Sequence, residues 1–73
     1  MEPVSGGKLP TKTEMHAARE QGWNDAVANR GRAPEHESYL GKDLHAATIT
    51  RAYNGGFIAG TQQALQDRYG DLP

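Results

Sequence analysis

Small and apolar residues recur with helical period in two stretches of this chain. Ala18, Gly22 and Ala26 lie four apart, and Ala52, Gly56, Gly60 and Ala64 repeat that spacing further on. Met15, Trp23 and Val27 flank the first row, and Ile49, Tyr53 and Phe57 flank the second. The pattern predicts two helices. The first runs from about Thr13 or Glu14 to Asn29. Thr11 with Glu14 fits a capping box, and Thr13 is a competing N-cap. Asn29 and Gly31 tolerate the left-handed conformation that ends helices, and Pro34 enforces the break. The second helix starts with Asp43 as N-cap and continues to about Tyr69. Ser38 is an alternative start, which would place Gly41 in the second turn at some cost. Thr48, Ile49 and Thr50 are β-branched, so a strand there is the lesser alternative. Arg30 to Lys42 is a polar connector. Residues 1–12, with Pro3, Gly6, Gly7 and Pro10, read as a flexible, disordered tail, and residues 70–73 as a short C-terminal one. One domain, residues 13–69, lies between them.

The two stretches resemble each other. Ala18-Arg19-Glu20-Gln21-Gly22-Trp23-Asn24-Asp25-Ala26 and Ala52-Tyr53-Asn54-Gly55-Gly56-Phe57-Ile58-Ala59-Gly60 share the pattern Ala, three residues, Gly, aromatic, two residues, small, at a constant offset of 34. Two copies are too few for a solenoid. They predict two matched helices in an all-α, two-helix antiparallel hairpin. Rows spaced by four are the ridges that interdigitate in helix packing. Ala18, Gly22, Ala26, Ala52, Gly56, Gly60 and Ala64 are therefore the expected close-packing residues. A glycine inside a helix costs about 1 kcal/mol against alanine. Gly55, Gly56 and Gly60 imply that something must come near the backbone: the other helix, a symmetry mate or an external partner.

Composition sharpens this picture. The chain has 73 residues, and a domain that short buries little surface. Apolar residues make up 36%, but many are alanine, and the large side chains include one Trp, one Phe and three Tyr. Mean hydropathy is −0.80. A lone monomer would have a thin core, so self-association or a partner is expected. Ile49, Tyr53 and Phe57 lie on one face of the second helix, while Leu44, Ile58, Leu65 and Tyr69 fall on others. That surface is wider than one partner helix needs, which favours a dimer or a docking surface.

There is no cysteine, which excludes a disulfide scaffold, a thiolate zinc site and a cysteine nucleophile. No secretory signal or membrane span is visible, and a cytoplasmic location is expected. The net charge of −1, from eight basic and nine acidic residues, counts against a dedicated phosphate-backbone binder. The histidines are His16, His36 and His45. His36 lies between Glu35 and Glu37, but no convergent ligand set accompanies it, and it reads as part of a solvated acidic connector. No nucleophile elbow is present, and Gly55, Gly56 and Gly60 are not followed by the Lys-Ser/Thr of a phosphate loop. The sequence calls for no enzyme activity, no metal and no cofactor. Arg30 and Arg32 suit a helix C-terminus, where cations are favoured. With Arg19, Arg51 and Lys42 they could also form a small phosphate-contacting patch.

The repeated Gly-aromatic segments are similar to those of the ribosome modulation factor family, small proteins of two helices joined by a connector. Ala18 to Gly22-Trp23 resembles the family's first-helix element. Tyr53-Asn54-Gly55-Gly56-Phe57 resembles its second, with Phe57 where the family carries Trp, and Arg30-Gly31-Arg32 resembles the basic stretch after the first helix. The resemblance spans roughly residues 17–64. Pro34 and Tyr39 are separated where the family has them adjacent, the connector is longer, and the family is strongly basic.

The resemblance implies a small non-enzymatic regulator that binds the ribosome and silences translation. Arg19, Arg30, Arg32 and Arg51 would then meet ribosomal RNA, with Trp23 and Phe57 packing or stacking. The alternative is a protein-interaction module, of the kind found among accessory or mobile-element proteins, that dimerises or docks on one host protein. Its anchors would be Trp23, Tyr53, Phe57, Ile58, Leu65 and Tyr69, because aromatic residues dominate interface hot spots.

Overall fold

The computed structural model describes residues 9–70. Residues 1–8 of the tail expected over residues 1–12, and the last three residues of the C-terminal tail, lie outside the described residues. The elements are helix α1 (Lys12–Val27), a short 3-10 helix (Pro34–His36) and helix α2 (Leu44–Tyr69). No strand occurs among the described residues, and Thr48 to Thr50 are helical. No described helix is long and apolar enough to cross a membrane.

Each helix starts where its cap chemistry requires. Thr11 Oγ1 accepts the Glu14 amide at 3.1 Å, and Glu14 Oε1 accepts the Thr11 amide at 2.8 Å. This is the reciprocal capping box, and it makes Thr11 the N-cap over Thr13. Asp43 caps α2 through Oδ1, which accepts the Ala46 amide at 2.9 Å. The first helix ends two residues earlier than expected, with Asn29 just beyond it at φ 63°. The Asn29 amide then reaches the Ala26 carbonyl at 3.0 Å, and the Arg30 amide reaches the Asp25 carbonyl at 2.8 Å. Those two bonds form a Schellman motif, with Asn in the left-handed position that glycine usually takes. Before α2, Gly41 takes φ 77° in a turn closed by the Lys42 amide and the Tyr39 carbonyl at 3.2 Å.

The helices meet on the predicted small residues. Ala18, Gly22 and Ala26 are buried on α1, and Ala52, Gly56 and Gly60 on α2. A Cβ at Gly22 would collide with the Tyr53 carbonyl, and one at Gly56 with the Arg19 carbonyl. At Gly60 it would stand 2.8 Å from the Trp23 carbonyl. The glycine Cα hydrogens thus face carbonyl oxygens of the opposite helix, a recurrent weak contact at close helix crossings. Ala64 continues the row past the end of α1 and is half-buried.

The expected antiparallel direction is corrected: the helices run parallel. Near their N-termini, Glu14 Oε1 lies 3.6 Å from His45 Nε2. Midway, Gly22 backs onto Tyr53 and Phe57, and Gly60 onto Trp23 and Ala26. At the C-terminal end of α1, Asn29 and Arg30 share a cavity with Ala64 and Arg68. Contacts therefore advance in the same sense along both helices. The connector makes this arrangement feasible. Residues 28–43 must retrace α1, whose 16 residues rise about 24 Å, and an extended chain at ~3.3 Å per residue covers that with length to spare. An antiparallel hairpin is usually closed by only about 2–8 residues.

Parallel pairing turns the sequence repeat into approximate twofold symmetry. Gly22 meets the Tyr53 carbonyl and Gly56 meets the Arg19 carbonyl, and both pairs of equivalent residues differ by the same offset of 34. The axis runs between the helices and along them, so each inter-helix groove has a twin on the opposite face.

Candidate interaction groove

The connector fills one of the two grooves. Its anchor is Tyr53, with 0% of its surface exposed. The Tyr53 hydroxyl accepts the Ala33 amide at 2.9 Å and donates to Asp25 Oδ2 at 2.5 Å. The other carboxylate oxygen, Asp25 Oδ1, accepts Arg30 Nε at 2.9 Å. One carboxylate on α1 therefore ties together α2 and the start of the connector. The Tyr53 hydroxyl, and after it Arg30, hold the Asp25 carboxyl below its ordinary pKa. Burial, and after it the bond to Asp25, push the Tyr53 phenol above its own.

Further along the connector, the His36 ring stacks on Tyr53 with centroids 4.4 Å apart, and its Nδ1 pairs with Thr50 Oγ1 at 2.9 Å. Thr50 is itself 0% exposed. Asn54 Nδ2 donates to the His36 carbonyl at 3.2 Å, and the Arg32 guanidinium lies 4.9 Å above the Phe57 ring. Met15, Ile49, Phe57 and Ala33 pack around the core of Ala18, Ala52 and Tyr53. The reading of His36 as a solvated connector residue is corrected: Thr50 and Tyr53 hold it against α2. Among the described residues no group of acids and histidines is arranged to hold a metal ion.

The opposite groove is open. It measures about 400 Å³ and is lined by His16, Arg19, Glu20, Trp23, Gly56 and Ala59. A neighbouring depression shares Arg19 with it and adds Arg51 and Gly55. The repeat offset converts His16, Arg19, Glu20 and Trp23 into Thr50, Tyr53, Asn54 and Phe57, and converts Gly56 and Ala59 into Gly22 and Asp25. These are the residues beneath, or forming, the connector's contacts. The open groove is thus the symmetry twin of the filled one, with different side chains along its walls.

The residues singled out for RNA contact do not form one patch. Arg30 and Arg32 lie on the filled face, engaged by Asp25 and Phe57. Arg19 and Arg51 line the open face, and neither makes an ion pair among the described residues. The expected interface anchors also separate. Tyr53 is corrected from an exposed anchor to the centre of the core, and Phe57 is half-buried under Arg32. Trp23 is 36% exposed in the open groove, while Ile58 is exposed away from both groove linings. Leu65 and Tyr69 share a shallow depression near the end of α2.

Asp25, Thr50 and Asn54 carry structural or groove roles that the amino-acid pattern alone did not assign. The offset of 34 was the available signal, because it relates Asp25 to Ala59 and Asn54 to Glu20. No protein-family model, curated protein or solved structure matches this chain.

Proposed function

We propose that this chain is a non-enzymatic, cytoplasmic protein-interaction module whose docking site is the open groove. The observation that supports this reading is the groove itself: a ready-shaped apolar cleft floored by Gly56 and Ala59 and edged by an exposed Trp23. Tryptophan and arginine, both present on its walls, are among the residue types that dominate binding energy at interfaces.

A second reading has its own support. Arg19 and Arg51 share one depression, and the Gly-aromatic segments resemble the ribosome modulation factor family. Ribosome binding would use that pair on phosphates. Against it stand the net charge of −1 and the engagement of Arg30 and Arg32 on the other face.

Capture by the tagged protein from its host lysate, with and without nuclease and at low and high salt, separates the two. The expected result is one non-ribosomal protein retained after nuclease and only modestly weakened by salt. Recovery of ribosomal proteins that vanish after nuclease or at high salt would overturn the module reading, because phosphate-driven binding falls steeply with salt.

A further inference from the structure

We infer that the open groove takes a short acidic peptide segment, laid along it as this chain's own Arg32–His36 segment lies in the twin groove; the inference rests on the interaction-module reading. The filled groove shows what this shape accommodates: one short segment of chain that ends in the 3-10 turn Pro34–His36, runs back along the helix pair and is held through its main chain. The Ala33 amide goes to Tyr53, and the His36 carbonyl to Asn54. The repeat relates the linings of the two grooves position by position, so the open groove has room for one such segment.

The walls decide which segment. Where the filled groove has the Tyr53 hydroxyl, the open groove has Arg19, and Arg51 stands beside it. Both are donors only, and a guanidinium pairs best with a carboxylate in a bidentate fork. Glu20 is the one acidic side chain lining the groove. Arg19 and Glu20 balance within the groove, and Arg51 in the adjoining depression tips the open face positive in a chain that is slightly acidic overall. Trp23, the symmetry mate of Phe57, offers an aromatic face for an apolar or cationic side chain of the same segment.

Gly55 is an independent observation. It is exposed in the middle of α2, and a Cβ there would meet nothing within 4 Å. Gly22, Gly56 and Gly60 are accounted for by contact with the opposite helix, and Gly55 is not. It lines the open face between Arg51 and Gly56. A bare backbone at that point lets an incoming main chain approach the helix surface closely.

The test uses the full chain and its single tryptophan. A random octapeptide library is panned on immobilised protein, with the Gly55→Leu protein as the counter-selector. Gly55→Leu places a side chain in the depression adjoining the groove, where its Cβ meets no neighbour, so its unfolding temperature should match or exceed that of the parent. The expected peptides are enriched in Asp and Glu. They shift Trp23 emission saturably and bind at least about tenfold more weakly to Gly55→Leu and to Arg19→Gln. Replacing their acids with Gln should produce a similar loss.

Selected peptides without an acidic excess, or equal binding to Gly55→Leu, would overturn the inference. So would a Trp23 shift driven by an octathymidylate oligonucleotide and not by the peptides, or one driven by self-association alone. Lysate capture distinguishes the two levels. A nuclease-resistant partner that Gly55→Leu still retains defeats the groove and leaves the module reading standing. Absence of any nuclease-resistant partner defeats the module reading.

Discussion

The Tyr53 hydroxyl donates to Asp25 and accepts the Ala33 amide, so one buried oxygen joins both helices and the connector. Tyr53→Phe keeps the ring and its stacking but leaves the Ala33 amide and Asp25 without that partner. Its expected cost is about 1–3 kcal/mol, the range for leaving buried polar groups unsatisfied, measured by urea unfolding. The same contact predicts the pH profile. The Asp25 pKa is depressed, so its contribution is complete above the ordinary carboxylate range near ~4 and is lost as pH falls through the folded value. The Tyr53 pKa is raised, so its contribution is complete below ~10 and is lost as pH rises through the folded value. Thermal unfolding across pH should show both limbs. Tyr53→Phe should abolish the alkaline limb from this group and flatten the acid one, because the hydroxyl is the largest cause of the Asp25 shift.

Adjacent glycines on α2 should respond in opposite directions. A Cβ at Gly56 has no room beside the Arg19 backbone, whereas Gly55 faces open space. Gly56→Leu is expected to cost roughly 4–5 kcal/mol. That is a large share of the stability of a chain this short, and loss of the cooperative unfolding transition by circular dichroism would report it. Gly55→Ala is expected to stabilise by roughly 0.5–1 kcal/mol, the helix propensity difference at an exposed interior position. The pair separates packing from propensity within one turn of one helix. If both substitutions destabilise alike, the close approach does not lie at Gly56.

At the scale of the molecule, the parallel direction is the feature with the largest consequence. It requires the connector to retrace α1, and that return path is what occupies one groove and leaves its twin empty. Spin labels test it directly, since the chain has no native cysteine. Thr13→Cys with Leu44→Cys should give a short distance, because Glu14 and His45 are in contact. Thr13→Cys with Gln66→Cys should give a long one, since residues 44–66 of α2 rise about 33 Å. An antiparallel pair would reverse the two results.

Much of this arrangement is local and was readable from the chain. The Thr11–Glu14 capping box, the Asp43 cap and the left-handed Asn29 act within a few residues of themselves. The four-residue spacing of small side chains also marks the packing ridges without reference to a partner. Direction was not readable from that spacing. Ala18, Gly22 and Ala26 meet small residues whether Ala52, Gly56 and Gly60 run with them or against them, so the ridge is silent on orientation. Connector length permits the parallel pair, and the contacts among Ala33, His36, Asp25 and Tyr53 define it; each joins residues at least 17 positions apart. The groove follows the same rule: its residues have no mutual signature along the chain until two parallel helices bring them to one face. The sequence by itself determined, to within about two residues, where the helices begin and end, and which residues allow close approach, because those are short-range properties of the backbone. Only the tertiary structure decided which way the helices run and which groove stays open, because both depend on where a 16-residue connector packs.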